Sequence, residues 1–248
     1  MRRAFAGVVA AFLLPAALSA QTLSQRVAAL GEGTIRLSFA ARAGVCGNGR
    51  NNISVAESSD EWESDCERGP VRVSLRVRGG TVAGANTYVG GRWRSTSPPP
   101  TDLGVVPAAR AAAELLDLAE RTSADGEELI TAATLADSVV VWPRLIAIAR
   151  RTSLPVDIRS HAVFWLGQAA GAAATRGLDS IAGDGRGDLE IRKQAVFALS
   201  QRPKDEGVPV LIRIARTSPY AEIRKSALFW LGQADDPRAL ALFEELLE

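Results

Sequence analysis

The chain is poor in the side chains on which most site chemistry depends: in 248 residues it carries one histidine, one methionine, two tyrosines and two cysteines. No H-E-x-x-H, G-x-S-x-G or P-loop pattern occurs in it, so the usual zinc-protease, serine-hydrolase and nucleotide-binding signatures are missing. These absences count against an enzyme, and the expectation is a non-catalytic protein with no cofactor and no metal. An excess of charge of one sign is lacking too. Lys and Arg number 29 against 28 Asp and Glu, a net charge of +1, which argues against nucleic acid or an anionic membrane as the main partner.

Residues 1–20 hold Arg2 and Arg3, an apolar run from Ala4 to Leu18, then Ser19 and Ala20. This reads as a secretory signal peptide, too short and alanine-rich for a membrane span, which leaves no stable anchor after cleavage. No cysteine follows the run, so a lipoprotein anchor is unsupported. The expected location is therefore exported, periplasmic or extracellular. In that oxidising setting the isolated pair Cys46 and Cys66 is most simply a disulfide.

Around the cysteines the apolar period is two. Ile35, Leu37 and Phe39 alternate with polar residues, as do Val71, Val73, Leu75 and Val77, and Gly79-Gly80 is a hairpin signal leading into residues 81–89. Residues 21–94 thus read as a small antiparallel β domain stapled by its disulfide. Its polar face carries Arg72, Arg76 and Arg78, extended by Arg92 and Arg94, a stripe that is either solvated, a carboxylate or phosphate site, or paired with the acidic loop of Asp60, Glu61, Glu63, Asp65 and Glu67. Pro98 to Pro100 disfavour a central strand, and 95–101 reads as a proline-rich linker.

The remainder, 102–248, is organised by a repeat. Ile158 to Gln168 (IRSHAVFWLGQ), Ile191 to Gln201 (IRKQAVFALSQ) and Ile223 to Gln233 (IRKSALFWLGQ) start 33 and 32 residues apart. Ile, Ala, Trp or Ala, and Leu fall at i, i+4, i+7 and i+8, one face of a helix. Leu145 to Arg150 (LIAIAR) and Leu211 to Arg216 (LIRIAR) precede two of the blocks, so each unit has two helices. Ser218-Pro219 suggests a helix start, and Gly167 and Gly232 suggest left-handed helix ends. Residues 107–121 are expected as an alanine- and leucine-rich helix and 127–138 as a second, weaker one, together a capping repeat, and a last helix as 236–247.

From about Trp142 to the end, this pattern resembles the HEAT repeat family, in the short bacterial form also seen in phycocyanobilin lyase-type proteins. The resemblance implies an α-solenoid of helical hairpins after the β domain, an α+β multidomain chain overall. It also implies that Arg159, Arg192 and Arg224, which recur with Asp157, Glu190 and Glu222, tie neighbouring turns together. One departure stands out: such second helices usually keep i+5 and i+6 polar, whereas here i+6 is Phe164, Phe197 and Phe229. At about 100° per residue these fall well away from the core face, as a ladder that is either an interaction strip or extra core between helices.

The only histidine, His161, sits where the other blocks have Gln194 and Ser226, and reads as a solvated position. The expected function is a scaffold or adaptor that binds another protein through its repeats. The alternatives are an enzyme or enzyme subunit, lyase-like by the resemblance, or small-ligand binding by the β domain.

Overall fold

A computed structural model describes residues 21–48, 53–54, 66–122 and 124–248. The signal-peptide reading of 1–20 lies outside them, as do Asp60, Glu61, Glu63 and Asp65 of the acidic loop. The strands are β1 (Gly33–Phe39), β2 (Cys46–Gly47), β3 (Ile53–Ser54), β4 (Val71–Arg78), β5 (Thr81–Val89) and β6 (Thr101–Val105). The helices are α1 (Leu23–Leu30), α2 (Ala108–Ala119), α3 (Gly126–Thr134), α4 (Trp142–Arg150), α5 (Val156–Gln168), α6 (Ala172–Ala182), α7 (Leu189–Ser200), α8 (Lys204–Thr217), α9 (Ala221–Leu231) and α10 (Pro237–Leu247). The fold is α+β, a small sheet followed by a series of helices. No helix among the described residues is long and apolar enough to cross a membrane.

The main sheet runs β5-β4-β1-β6. Gly79 and Gly80 both adopt positive φ, as a two-residue hairpin turn between twisted strands requires, and they join β4 to β5. The alternation places Val71, Val73, Leu75 and Val77 on the buried face, each at most 1% exposed. The sheet departs from the antiparallel expectation at β6, which pairs parallel to β1. Residues 90–100 therefore join β5 to β6 within one sheet. The prolines end just before the pairing segment, and β6 lies at the edge, where a missing N–H costs least.

The sheet and the first helices share one continuous core that runs from Leu23 to Leu242. The outer edge of β5 is closed by carboxylates from the start of α3: the Ala85 N–H donates to Asp125 Oδ2 at 2.8 Å and the Thr87 N–H to Glu128 Oε1 at 2.7 Å. An edge strand so capped offers fewer free donors to another chain. Beyond β1 the chain bridges to the α3–α4 connection, Ala41 pairing with Ala136 and the Asp137 N–H donating to Ala40 O.

From α2 onward the helices pair as hairpins, α2 with α3, α4 with α5, α6 with α7, and α8 with α9. Second helices α3, α5, α7 and α9 pack in succession, as do first helices α4, α6, α8 and α10. Asp236 caps α10, accepting from the Arg238 N–H at 2.9 Å, with Pro237 at the first helical position. The Arg238 guanidinium beside it holds the Asp236 carboxyl down to about 2.

Two local expectations are corrected. Helix α9 starts at Ala221, with Ser218 ending α8 rather than capping α9. Neither Gly167 nor Gly232 is left-handed; Gly232 has φ −64° and Gly167 lies inside α5. Gly167 instead permits close helix contact, because a Cβ there would lie 3.1 Å from the Ala198 Cβ of α7. Gly167→Leu is expected to force α5 and α7 apart and cost about 1–3 kcal/mol. Urea unfolding checks this, and an unchanged midpoint would remove the close-packing explanation.

Candidate functional site

The repeat arginines face into the structure. Arg159 is 1% exposed; its Nε donates to Ala149 O in the last turn of α4 at 3.0 Å, and its Nη1 reaches Asp188 at the start of α7. Arg192 repeats the first bond, Nε to Ala182 O at 3.0 Å, and lays its guanidinium 3.8 Å from the Tyr220 ring centroid. Arg224 donates to Ser218 O at 2.7 Å. A cation on the last carbonyls of a helix satisfies acceptors that have no intrahelical donor. Arg159 and Arg192 thus bond the preceding first helix and touch the start of the next second helix.

Sequence reasoning missed Arg202. It is 7% exposed and donates to Gly167 O at 3.1 Å, Gly171 O at 3.2 Å, Thr175 Oγ1 at 3.0 Å and Glu206 Oε2 at 2.8 Å, with a further bond to Ala169 O. The Thr175 hydroxyl, then Arg202, hold the Glu206 carboxyl below the usual carboxylate range. A lone basic residue just past a repeat block gave no signal of such burial.

The buried residues of α5 are Ile158, Arg159, Ala162, Val163, Leu166 and Gly167, that is i, i+1, i+4, i+5, i+8 and i+9. Measured from Ile158 at about 100° per residue, their centre lies near 90°, because Arg159, Val163 and Gly167 are buried as well as Ile158, Ala162 and Leu166. Position i+7 therefore falls at the border, and Trp165 and Trp230 are half-buried instead of core. Position i+6 falls roughly opposite the core. Phe164 is 42% exposed and Phe229 59%, while Phe197 is half-buried against Trp230, with ring centroids 4.7 Å apart. Phe229 stands edge-on to Trp230 at 5.0 Å, and Phe164 edge-on to Trp165 at 5.5 Å. The outward face of α5, α7 and α9 therefore carries a row of partly open aromatic rings. Lys193 and Lys225, which approach Glu222 at 3.7 and 2.9 Å, lie beside it.

His161 belongs to this face and is not simply solvated. Its Nε2 lies 3.0 Å from Trp165 Nε1 and 2.8 Å from Thr131 Oγ1. The indole N–H can only donate, and it reaches both Nε2 and, at 3.2 Å, Thr131 Oγ1; when Nε2 accepts, the ring is neutral. Burial lowers the His161 pKa, opposed by the Glu128 charge. A neutral ring favoured in the fold stabilises fully above the ordinary histidine value of about 6.5 and is lost as pH falls below it. The melting temperature should therefore drop more between pH ~7.5 and ~5.5 for the natural chain than for His161→Gln, whose amide oxygen still accepts. Equal drops would contradict the neutral ring.

A second recess lies at the end of the sheet. Arg36, Arg72, Tyr88 and Trp93 border a pocket of about 530 Å³, with Arg92 and Arg94 at its margin. Arg72 spends its donors on Gly90 O and Gly91 O at 2.7–3.2 Å; Arg36 donates to Arg94 O and lies 4.6 Å from the Trp93 ring centroid. These cations chiefly hold the 90–94 loop. Arg76 folds onto Ala83 O at 2.9 Å and Arg78 is exposed, so the predicted stripe does not converge on one site. The Cys46–Cys66 disulfide is present, with Cα atoms 5.3 Å apart, which fits an oxidising, non-cytoplasmic compartment. Beside it Gly47 and Glu67 exchange backbone hydrogen bonds of 3.0 and 2.9 Å.

Among the described residues no three His, Cys, Asp or Glu side chains converge as metal ligands. In comparisons with known proteins, no family model matches the chain and no curated protein matches it.

Proposed function

We propose that the chain is an exported, non-catalytic scaffold built on HEAT-like repeats, which holds a partner protein against the outward face of α5, α7 and α9. The observation that carries this reading is the aromatic row itself. Phe164 and Phe229 leave much of their surface open at a repeat position that the HEAT resemblance would make polar. Large, rigid aromatic side chains at the centre of a patch, with polar residues around them, are the usual anchors of a protein interface. Here the surround is Asp157, Glu190, Glu222 and Lys225 at one end and Gln168, Gln201 and Gln233 at the other. The 33- and 32-residue spacing and the successive packing of the second helices support a solenoid.

The test is capture from an envelope fraction with the natural chain and with Phe164→Ser/Phe229→Ser as baits. Both rings are exposed, so the double variant should melt near the natural temperature while losing a partner that the natural chain retains. Equal capture by both baits would reject the face.

A second reading, small-ligand binding by the sheet, is favoured only by the 530 Å³ pocket at Arg36 and Trp93. An Arg36→Met variant with unchanged ligand-dependent melting would set it aside.

A further inference from the structure

The connection between α3 and α4, the loop after β1 and the end of α5 enclose a separate pocket of about 400 Å³. Its walls are mainly apolar, with Val139, Trp142 and Trp165 prominent, and Thr134 and Gln168 add polar atoms. Among the described residues the one charged group lining it is Arg42. The backbone fixes Arg42 there: its N–H donates to Leu135 O at 2.9 Å, its carbonyl accepts from the Val45 N–H at 3.3 Å, and the adjacent Ala41 bridges Ala136.

Among the described residues the guanidinium has no ion-pair counterpart. Its Nε is buried with no hydrogen-bond partner, and no carboxylate pairs with it among the described residues. Burial lowers the Arg42 pKa. The buried Nε of a half-buried cation in an apolar pocket is a donor that an anion would complete. A carboxylate matches the planar fork of donors, and the two indoles offer an apolar body a place to lie. The volume is at the small end of ligand sites, which run roughly 300–1,000 Å³, so the occupant is a small molecule.

We propose that this pocket binds a small monocarboxylate with an apolar body, its carboxylate on Arg42 and its body against Trp142 and Trp165. The site is distinct from the aromatic row, although Trp165 borders both, and it does not depend on the scaffold reading.

Calorimetric titration of the full chain with phenylacetate, hexanoate and the neutral isostere phenylacetamide tests it. Either acid should saturate one site, with the amide at least about tenfold weaker, a difference of about 1.4 kcal/mol. Arg42→Met should lose the acids while its melting temperature holds or rises, since the unpaired charge is gone. Gln168 is exposed, so Gln168→Glu will fold, and its added negative charge at the rim should weaken the acids severalfold. Three results would overturn the proposal: equal binding of acid and amide, undiminished acid binding by either variant, or no saturable binding of either acid up to about 10 mM, beyond the weak end of the usual affinity scale.

Discussion

Arg202→Met should be among the most damaging single substitutions in the helical half, with a loss of about 3 kcal/mol, or roughly 6–12 °C in melting temperature for a chain of this size. The side chain is buried and bonds three carbonyls around the exit of α5, Gly167, Ala169 and Gly171, together with Thr175 of α6 and Glu206 of α8. Methionine keeps most of the stem but none of the donors, so buried acceptors are left unpaired, and each such group costs about 1–3 kcal/mol. Water reaches some of them, which is why the estimate stays below the sum. Arg202→Lys supplies one ammonium in place of a planar fork and should recover only part of the loss. Thermal and urea unfolding decide it; a Met variant within about 0.5 kcal/mol of the natural chain would show the network to be incidental, as most surface substitutions are.

Removal of the disulfide should cost about 3 kcal/mol in the loop-entropy model for a separation of 20 residues. Among the described residues the β2–β3 ladder is two residues long on each side, too short to persist alone, and the Gly47–Glu67 pair joins it to the segment leading into β4. Cys46→Ala/Cys66→Ala should therefore speed hydrogen exchange first at Gly47 and Glu67, while the amides of α5 to α9 keep their protection. Uniform loss of protection across the chain would mean that the sheet and the helical row unfold as one unit. No change at Gly47 and Glu67 would mean that the bond is structurally idle.

The legible parts of the fold were those with a repeating local cause. Ile, Ala and Leu at i, i+4 and i+8 mark α5, α7 and α9 because a helix brings them to one side, and Gly79-Gly80 marks the β4–β5 hairpin because the turn needs two positive φ angles. The parts not legible depend on partners distant in sequence. β6 is Thr101-Asp102-Leu103-Gly104-Val105, mostly exposed and without alternation, and β1 alone makes it a strand. The first helix of the second unit, α6, reads AAATRGLDSIA and shares little with LIAIAR, so its place was implied only by the spacing.

For the candidate site, the angle of Phe164, Phe197 and Phe229 followed from the helical period, but their exposure did not. Phe197 is covered by Trp230 from the next unit, which no local pattern encodes. Gly167 was mistaken for a helix end because a glycine near a C-terminus and a glycine at a close helix crossing look alike in sequence. His161 and Arg42 were unreadable for a related reason. A polar side chain's burial and protonation are set by what lies opposite it, here Trp165 and Thr131 for the one and the apolar pocket for the other.

The central claim is that the outward aromatic face of α5, α7 and α9 meets another protein. A photo-crosslinking side chain placed at Gln194, on that face of α7, tests it most directly when compared with one at Ser180 on α6 of the first-helix row. In envelope preparations, position 194 should give a discrete adduct that Phe164→Ser/Phe229→Ser abolishes, and position 180 should not give that adduct. No adduct at 194, or the same adduct from both positions regardless of the phenylalanines, would contradict the account.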